Sequence, residues 1–181
     1  MTSPPFPKRI LVDANFLVAW FDRGTSTADR ARIEYFVDQA EKAKSRIIVP
    51  TPAIAEYLVK ADVAGIEMVN KLDRKTYVLI APFDMTSAFE CSQLDRAAIG
   101  AGDKRDGVTE PWQKIKIDRQ IVAIGKANGA SLVVSDDDGV RNNALRVGMR
   151  ASSIAQLELP KSALQAPLSF PERKSKKKPS S

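Results

Sequence analysis

The sequence predicts an α/β fold, a three-layer α/β/α sandwich around a central, mostly parallel sheet. Two observations carry this. Four short runs, KRILV (8–12), RIIVP (46–50), TYVLIA (76–81) and SLVVS (131–135), are rich in β-branched residues and apolar almost throughout, as strands buried on both faces are. Longer stretches with helical character separate them, and such alternation implies parallel strands joined by right-handed crossovers.

Each element has its own local signal. KRILV stops on Asp13, a carboxylate able to cap a helix beginning at Ala14 or to form a turn. A helix is expected from about residue 26 in STADRARIEYFVDQAEKA. After RIIVP, Thr51 and Pro52 suit an N-cap and a first helical position, so TPAIAEYLVKAD (51–62) reads as one helix with Glu56 about one turn in. TYVLIA leads into a helix from 84, DMTSAFECSQLDRAA. The segment GAGDKRDGVTEPW (100–112), with three glycines and a proline, reads as an exposed loop or insertion. WQKIKIDRQIVAIGKANG, from 112, is a helix with a buried stripe of Ile117, Ile121 and Ile124. It ends at Asn128-Gly129, where glycine can adopt the left-handed conformation. A weaker last strand lies in MRASSI (149–154).

Composition bounds the chemistry. With 181 residues, 44% hydrophobic and 28% charged, the chain suffices for one domain with a buried core, taken as residues 1–159. One cysteine and no histidine exclude an internal disulfide and the usual zinc sites, so any metal must be held by oxygen. No apolar run is long enough to span a bilayer and the N-terminus lacks a signal-peptide core; the expectation is a soluble cytoplasmic protein without membrane attachment. The net charge of +6 divides unevenly. From Pro160 onward six Lys/Arg face one Glu, leaving the body at +1. The Pro/Ser/Lys-rich tail, 160–181, is expected to be disordered, either a solvated end or an aid to nucleic-acid affinity through counterion release.

Ligands of open parallel sheets collect at the carboxyl ends of the strands, and acidic residues stand there. Asp13 follows the first strand, the run 136–138 follows SLVVS, and Glu56 lies in the first turns of the helix after the second strand. Asp118 sits on the shoulder of its helix's apolar stripe. Each alone has an ordinary explanation as cap, turn or surface residue. Together, without histidine or cysteine, converging carboxylates repel one another unless a divalent cation such as Mg²⁺ or Mn²⁺ neutralises them.

These residues resemble a known family. LVDAN resembles the opening Asp-x-Asn motif of PIN-domain nucleases, TPAIAEYL the segment bearing their glutamate, and DRQIVAIGKANGASLVVSDDD their Asp-helix-Gly-strand-Ser/Thr-x-Asp region, across residues 8–155. The resemblance implies that Asp13, Glu56 and Asp118 are catalytic metal ligands, with Asn15 and Ser135 orienting them. The fourth carboxylate is Asp136 if helix and strand are matched without a gap, and Asp137 if Ser-x-Asp is matched literally. Asp136 is preferred for its nearness to the strand tip. The function implied is an Mg²⁺- or Mn²⁺-dependent endoribonuclease similar to VapC-type toxins, whose partners are an RNA substrate, a small antitoxin and a second copy in a homodimer. Arg119, Lys116 and the Lys71/Arg74/Lys75 group are candidate phosphate contacts. FLVAWF (16–21) and the helix IEYFVDQA offer apolar surface for partners or core.

Rival readings fare worse against the motifs. A haloacid-dehalogenase-type phosphotransferase needs Asp-x-Asp, whereas Asn15 stands at the third position. A receiver domain needs an acidic pair before its first helix, and a dinucleotide fold needs Gly-x-Gly-x-x-Gly after the first strand. An RNA-processing nuclease without an antitoxin, or a catalytically weak binding module on the same fold, remain alternatives.

Overall fold

A computed structural model describes residues 5–164. The elements run β1 (Arg9–Val12), α1 (Ala14–Phe21), α2 (Thr27–Lys42), β2 (Arg46–Pro50), α3 (Thr51–Leu58), α4 (Val63–Leu72), β3 (Val78–Ala81), α5 (Met85–Gly100), α6 (Trp112–Ala127), β4 (Leu132–Val134), α7 (Asp138–Arg146) and β5 (Arg150–Ser152). A 3-10 turn at Ile154–Gln156 and α8 (Lys161–Leu164) follow. The expected tail therefore starts with a short helical turn; its lysine run lies outside the described residues.

All five strands are parallel, in the order β3-β2-β1-β4-β5. The chain builds outward from β1 through β2 to β3, then crosses to the other side of β1 for β4 and β5. Strand order therefore reverses between β1 and β4, and a crevice opens at their carboxyl ends.

Side chains alternate across the pleat. Ile10, Val12, Ile47 and Val49 pack with Phe16, Leu17, Ile33 and Phe36 of α1 and α2 in one core. Leu11, Ile48 and Val133 point the other way, against Leu94 of α5, Ile121 and Ile124 of α6, and Val140 of α7. Both faces are covered, which is why the strands read as continuous apolar runs. Helix α6 packs tightly on the sheet at Gly125, where a Cβ would stand 2.6 Å from Leu11 Cδ2.

Two helices, α4 and α7, escape the sequence reading. The segment at 51–62 is not one helix: α3 stops at Leu58, and α4 begins after Asp62, whose carboxylate accepts from Gly65 N at 2.8 Å. Helix α3 also starts one residue early, with Pro50 at the N-cap and no side-chain capping bond. Helix α1 follows β1 directly, and α7 occupies what reads as a turn. FLVAWF divides accordingly: Phe16 and Leu17 are core, while Val18 is exposed. The segment after α5 is pinned rather than free. The guanidinium of Arg119, 1% exposed, donates to Asp95 Oδ1 at 2.7 Å, Asp106 Oδ2 at 2.8 Å and the Lys104 carbonyl at 2.8 Å. Arg146 pairs with the same Asp106.

Candidate metal centre

Asp13 is the N-cap of α1 and a member of the acidic cluster at once. Its Oδ1 accepts from Phe16 N at 3.0 Å, satisfying one of the free N–H groups of the first turn. Its Oδ2 accepts from Ser135 Oγ at 2.5 Å, which ties the tip of β1 to the tip of β4. The carboxylate is 3% exposed. Burial pushes its pKa up to about 6, against the lowering effect of these hydrogen bonds and with a further upward push from Asp137.

Ser135 connects onward. Its Oγ accepts from Asp137 N at 2.9 Å, and Asp137 Oδ1 in turn caps α7 through Gly139 N at 2.7 Å and Val140 N at 3.2 Å. Asp137 Oδ2 accepts from Lys114 Nζ at 2.6 Å, and the same ammonium reaches Asp118 Oδ2 at 3.0 Å. Helix α7 comes close beside them: a Cβ on Gly139 would stand 2.5 Å from Asp118 Oδ2 and 3.0 Å from Asp137 Oδ1. Glycine at 139 thus makes room for the Asp118 carboxylate.

The expectation that Asp136 faces the cluster is corrected. Asp136 is exposed and its Oδ1 accepts from Ile154 N at 2.8 Å, joining the β4 tip to the segment after β5. Their hydrogen bonds divide the three: Ser135 and Asp137 turn toward Asp13 and Lys114, whereas Asp136 turns to Ile154. Asn15 is exposed in the first turn of α1 and is not among the hydrogen-bond partners of Asp13. Lys114, Gly139 and Asp137's capping role were missed. The Lys114/Asp118 pair at i,i+4 is a sequence signal for the first.

Glu56 lies on the exposed face of α3. Partial desolvation, then the carboxylates of Asp118 and Asp13, hold its pKa above the usual range. Asp118, 6% exposed, is raised by burial, and Lys114 lowers it only in part. Asp137 is held below the ordinary carboxylate value: Lys114 and the two backbone N–H groups of α7 outweigh its burial.

The candidate phosphate contacts separate. Arg119 is buried and committed to its carboxylates, so it is no rim cation. Lys71, Arg74 and Lys75 stand where α4 leads into β3, at the amino end of a parallel sheet and away from the crevice. Lys116 is exposed in the first turns of α6.

Whether this donor set suits a divalent cation is a question of charge and ligand type. Among the described residues no group of three or more His, Cys, Asp or Glu forms a ready metal cage. Lys114 stands between Asp118 and Asp137 instead. Yet the groups that interact here are Asp13, Glu56, Asp118 and Asp137, against the single ammonium of Lys114. An all-oxygen, charge-deficient cluster fits Mg²⁺ or Mn²⁺.

Comparison with known proteins agrees with the fold. A DNA-bound VapBC2 structure from Rickettsia felis has 14% sequence identity and a TM-score of 0.54, covering 80% of this chain and 98% of that one. A DNA-bound VapBC from Salmonella typhimurium has 14% identity and a TM-score of 0.50, covering 81% and 98%. No curated protein matches the chain. At this identity the structures speak for the fold alone. The sequence profile of the PIN domain, however, matches residues 10–145, which include all four clustered carboxylates, and the chain belongs to the PIN domain family.

Proposed function

We propose that this protein is an Mg²⁺- or Mn²⁺-dependent ribonuclease and the toxin of a toxin-antitoxin pair. The observation that carries the reading is the convergence of Asp13, Glu56, Asp118 and Asp137 at the β1/β4 crevice, with Asp13 buried and its pKa raised to about 6. Membership of the PIN family and similarity to two structures described as VapBC support it.

Asp13, Asp118 and Asp137 would hold the cation, with Ser135 fixing the relation of Asp13 to Asp137. Asp136 and Asn15 have no part in this set. When bound, such a cation lowers the pKa of water and offsets charge on a phosphodiester. Hydrolysis adds the oxygen of water to phosphorus and breaks the bond to the neighbouring nucleotide, so the proton of that water needs an acceptor. Glu56 suits this task, because a carboxylate with raised pKa is a better base near neutral pH. Lys116 would hold a flanking phosphate.

An apolar cleft on this chain would seat the antitoxin. A cleft of about 570 Å³ between α1, α3 and α4 is lined by Val18, Phe21, Tyr57 and Met68. Val59, directly after α3, and Val63, the first residue of α4, are 81% and 75% exposed. Among the described residues no helix is long and apolar enough to cross a membrane.

The test is cleavage of single-stranded RNA with Mg²⁺ or Mn²⁺, abolished by EDTA and by Asp13→Asn and Asp118→Asn. Cleavage that survives either substitution sinks the assignment.

A further inference from the structure

We infer that Lys114 is a built-in counter-ion, which holds Asp118 and Asp137 together in the metal-free protein and must leave them when a divalent cation binds. The inference rests on the metal-centre reading above. It identifies a residue of this chain that competes with the cation and thereby sets its affinity.

Three features point to it. Lys114 Nζ takes the oxygens a cation would use. Asp137 commits Oδ1 to the α7 cap, and Lys114 holds the remaining Oδ2 at 2.6 Å; its other contact is Asp118 Oδ2 at 3.0 Å. Among the described residues no other cation pairs with either carboxylate. The Lys114 side chain is also 36% exposed, against 9% and 18% for those of Asp118 and Asp137. The lysine side chain is thus more open to water than either carboxylate it holds. A hydrated, flexible lysine can withdraw toward water, whereas a guanidinium fork would hold both carboxylates more rigidly.

Electrostatics makes the two occupants exclusive. An ammonium in contact with the oxygens that bind a divalent cation repels it across a few ångströms of partly desolvated space. Without either occupant, Asp118 and Asp137 face one another unpaired, and the start of α7 at Gly139 lies against both. Lys114 therefore maintains the crevice between turnovers and raises the cation concentration needed to fill it.

The experiment titrates the full chain, stripped with EDTA and dialysed, with MnCl₂ by calorimetry, and follows thermal unfolding with and without Mn²⁺. Lys114→Met is the main variant; Lys114→Gln, which retains hydrogen bonding without the charge, serves if the first folds poorly. Both are expected to bind Mn²⁺ about tenfold or more tighter than the unsubstituted chain. Both should also unfold at lower temperature in EDTA and gain a larger upward shift on adding Mn²⁺. Unchanged or weaker Mn²⁺ binding by the neutral variants overturns the inference and leaves Lys114 a structural salt bridge. Failure of the underlying metal reading looks different: the unsubstituted chain would not bind Mn²⁺, or Asp118→Asn would bind it equally well.

Discussion

Ser135 Oγ donates to Asp13 Oδ2 at 2.5 Å, joining strand tips that lie 122 residues apart in sequence. The same hydroxyl oxygen accepts from Asp137 N, so one buried serine fixes two carboxylates at the switch point of the sheet. Ser135→Ala removes both bonds and leaves a buried carboxylate oxygen unpaired. It should cost about 1–3 kcal/mol in urea unfolding and weaken Mn²⁺ binding. A stability change within error would show that the bond does not hold the strand tips.

Asp13 also makes stability depend on pH. Its folded pKa, about 6, lies above the ordinary 3.8, so ionising it is harder in the folded chain than in the unfolded one. That penalty is full above about pH 6 and fades as the pH falls toward 3.8. Asparagine removes the charge while retaining a good N-cap. In EDTA, Asp13→Asn should therefore be more stable than the unsubstituted chain at pH 8, by up to about 3 kcal/mol, and nearly equal to it at pH 4. Chemical unfolding at both pH values checks this, and a gain that does not vary with pH contradicts it.

Gly139 separates site geometry from stability. Alanine there favours helix α7 by propensity, up to about 1 kcal/mol, but its Cβ would press on Asp118 Oδ2 from 2.5 Å. Gly139→Ala should lose Mn²⁺ affinity about tenfold or more while thermal unfolding shifts little. Full retention of affinity would mean that Asp118 has room to move.

Arg119 is a latch rather than a phosphate contact. Arg119→Met strips Asp95 and the Lys104 carbonyl of their partner and leaves Asp106 only Arg146. Breaking so buried an ion pair should cost about 3 kcal/mol, and amide hydrogens of residues 101–111 should exchange faster. The salt dependence of RNA binding should be unaltered, because no phosphate contact is lost. A flatter salt dependence would return Arg119 to the nucleic-acid surface.

How much of this was legible depends on what each signal reports. The strands were, because burial on both faces makes their composition unambiguous. RIIVP is strand β2 over the expected residues, and the others differ by a few at the ends. The start of helix α1 showed only as one of two readings of Asp13, because FLVAWF is apolar all round and shows no helical face. Helix α7 was hidden for the opposite reason: DGVRNNALR buries only Val140, Asn143 and Ala144, and its one large apolar residue besides Val140, Leu145, is exposed. The break between α3 and α4 lies at Asp62, whose capping pattern was obscured by apolar residues on both sides. Asp13, Glu56 and Asp118 could be named because strand and helix order brings them to one end of the sheet. The choice between Asp136 and Asp137 could not be made by nearness to the strand. It depends on how the backbone bends after β4, and Ser135 reveals that only once its partner Asp13 is in view.

The Asp136/Asp137 contrast gives a sharp functional comparison. Asp137→Asn retains the cap of α7 but loses the charge facing Lys114, and RNA cleavage should fall about a hundredfold or more, on the scale of losing a group that stabilises transition-state charge. Asp136→Asn affects only the tie to Ile154 N and should cleave within a few-fold of the unsubstituted chain. The reverse order of effects would restore Asp136 to the site.

The central claim, a divalent cation held at the β1/β4 crevice by Asp13, Asp118 and Asp137, is tested most directly by anomalous diffraction from crystals grown with Mn²⁺. The account predicts a peak within about 2.5 Å of carboxylate oxygens of these residues, with Lys114 Nζ withdrawn from Asp118 and Asp137. Crystals that bind Mn²⁺ elsewhere, or retain Lys114 between the two carboxylates at millimolar Mn²⁺, would contradict it.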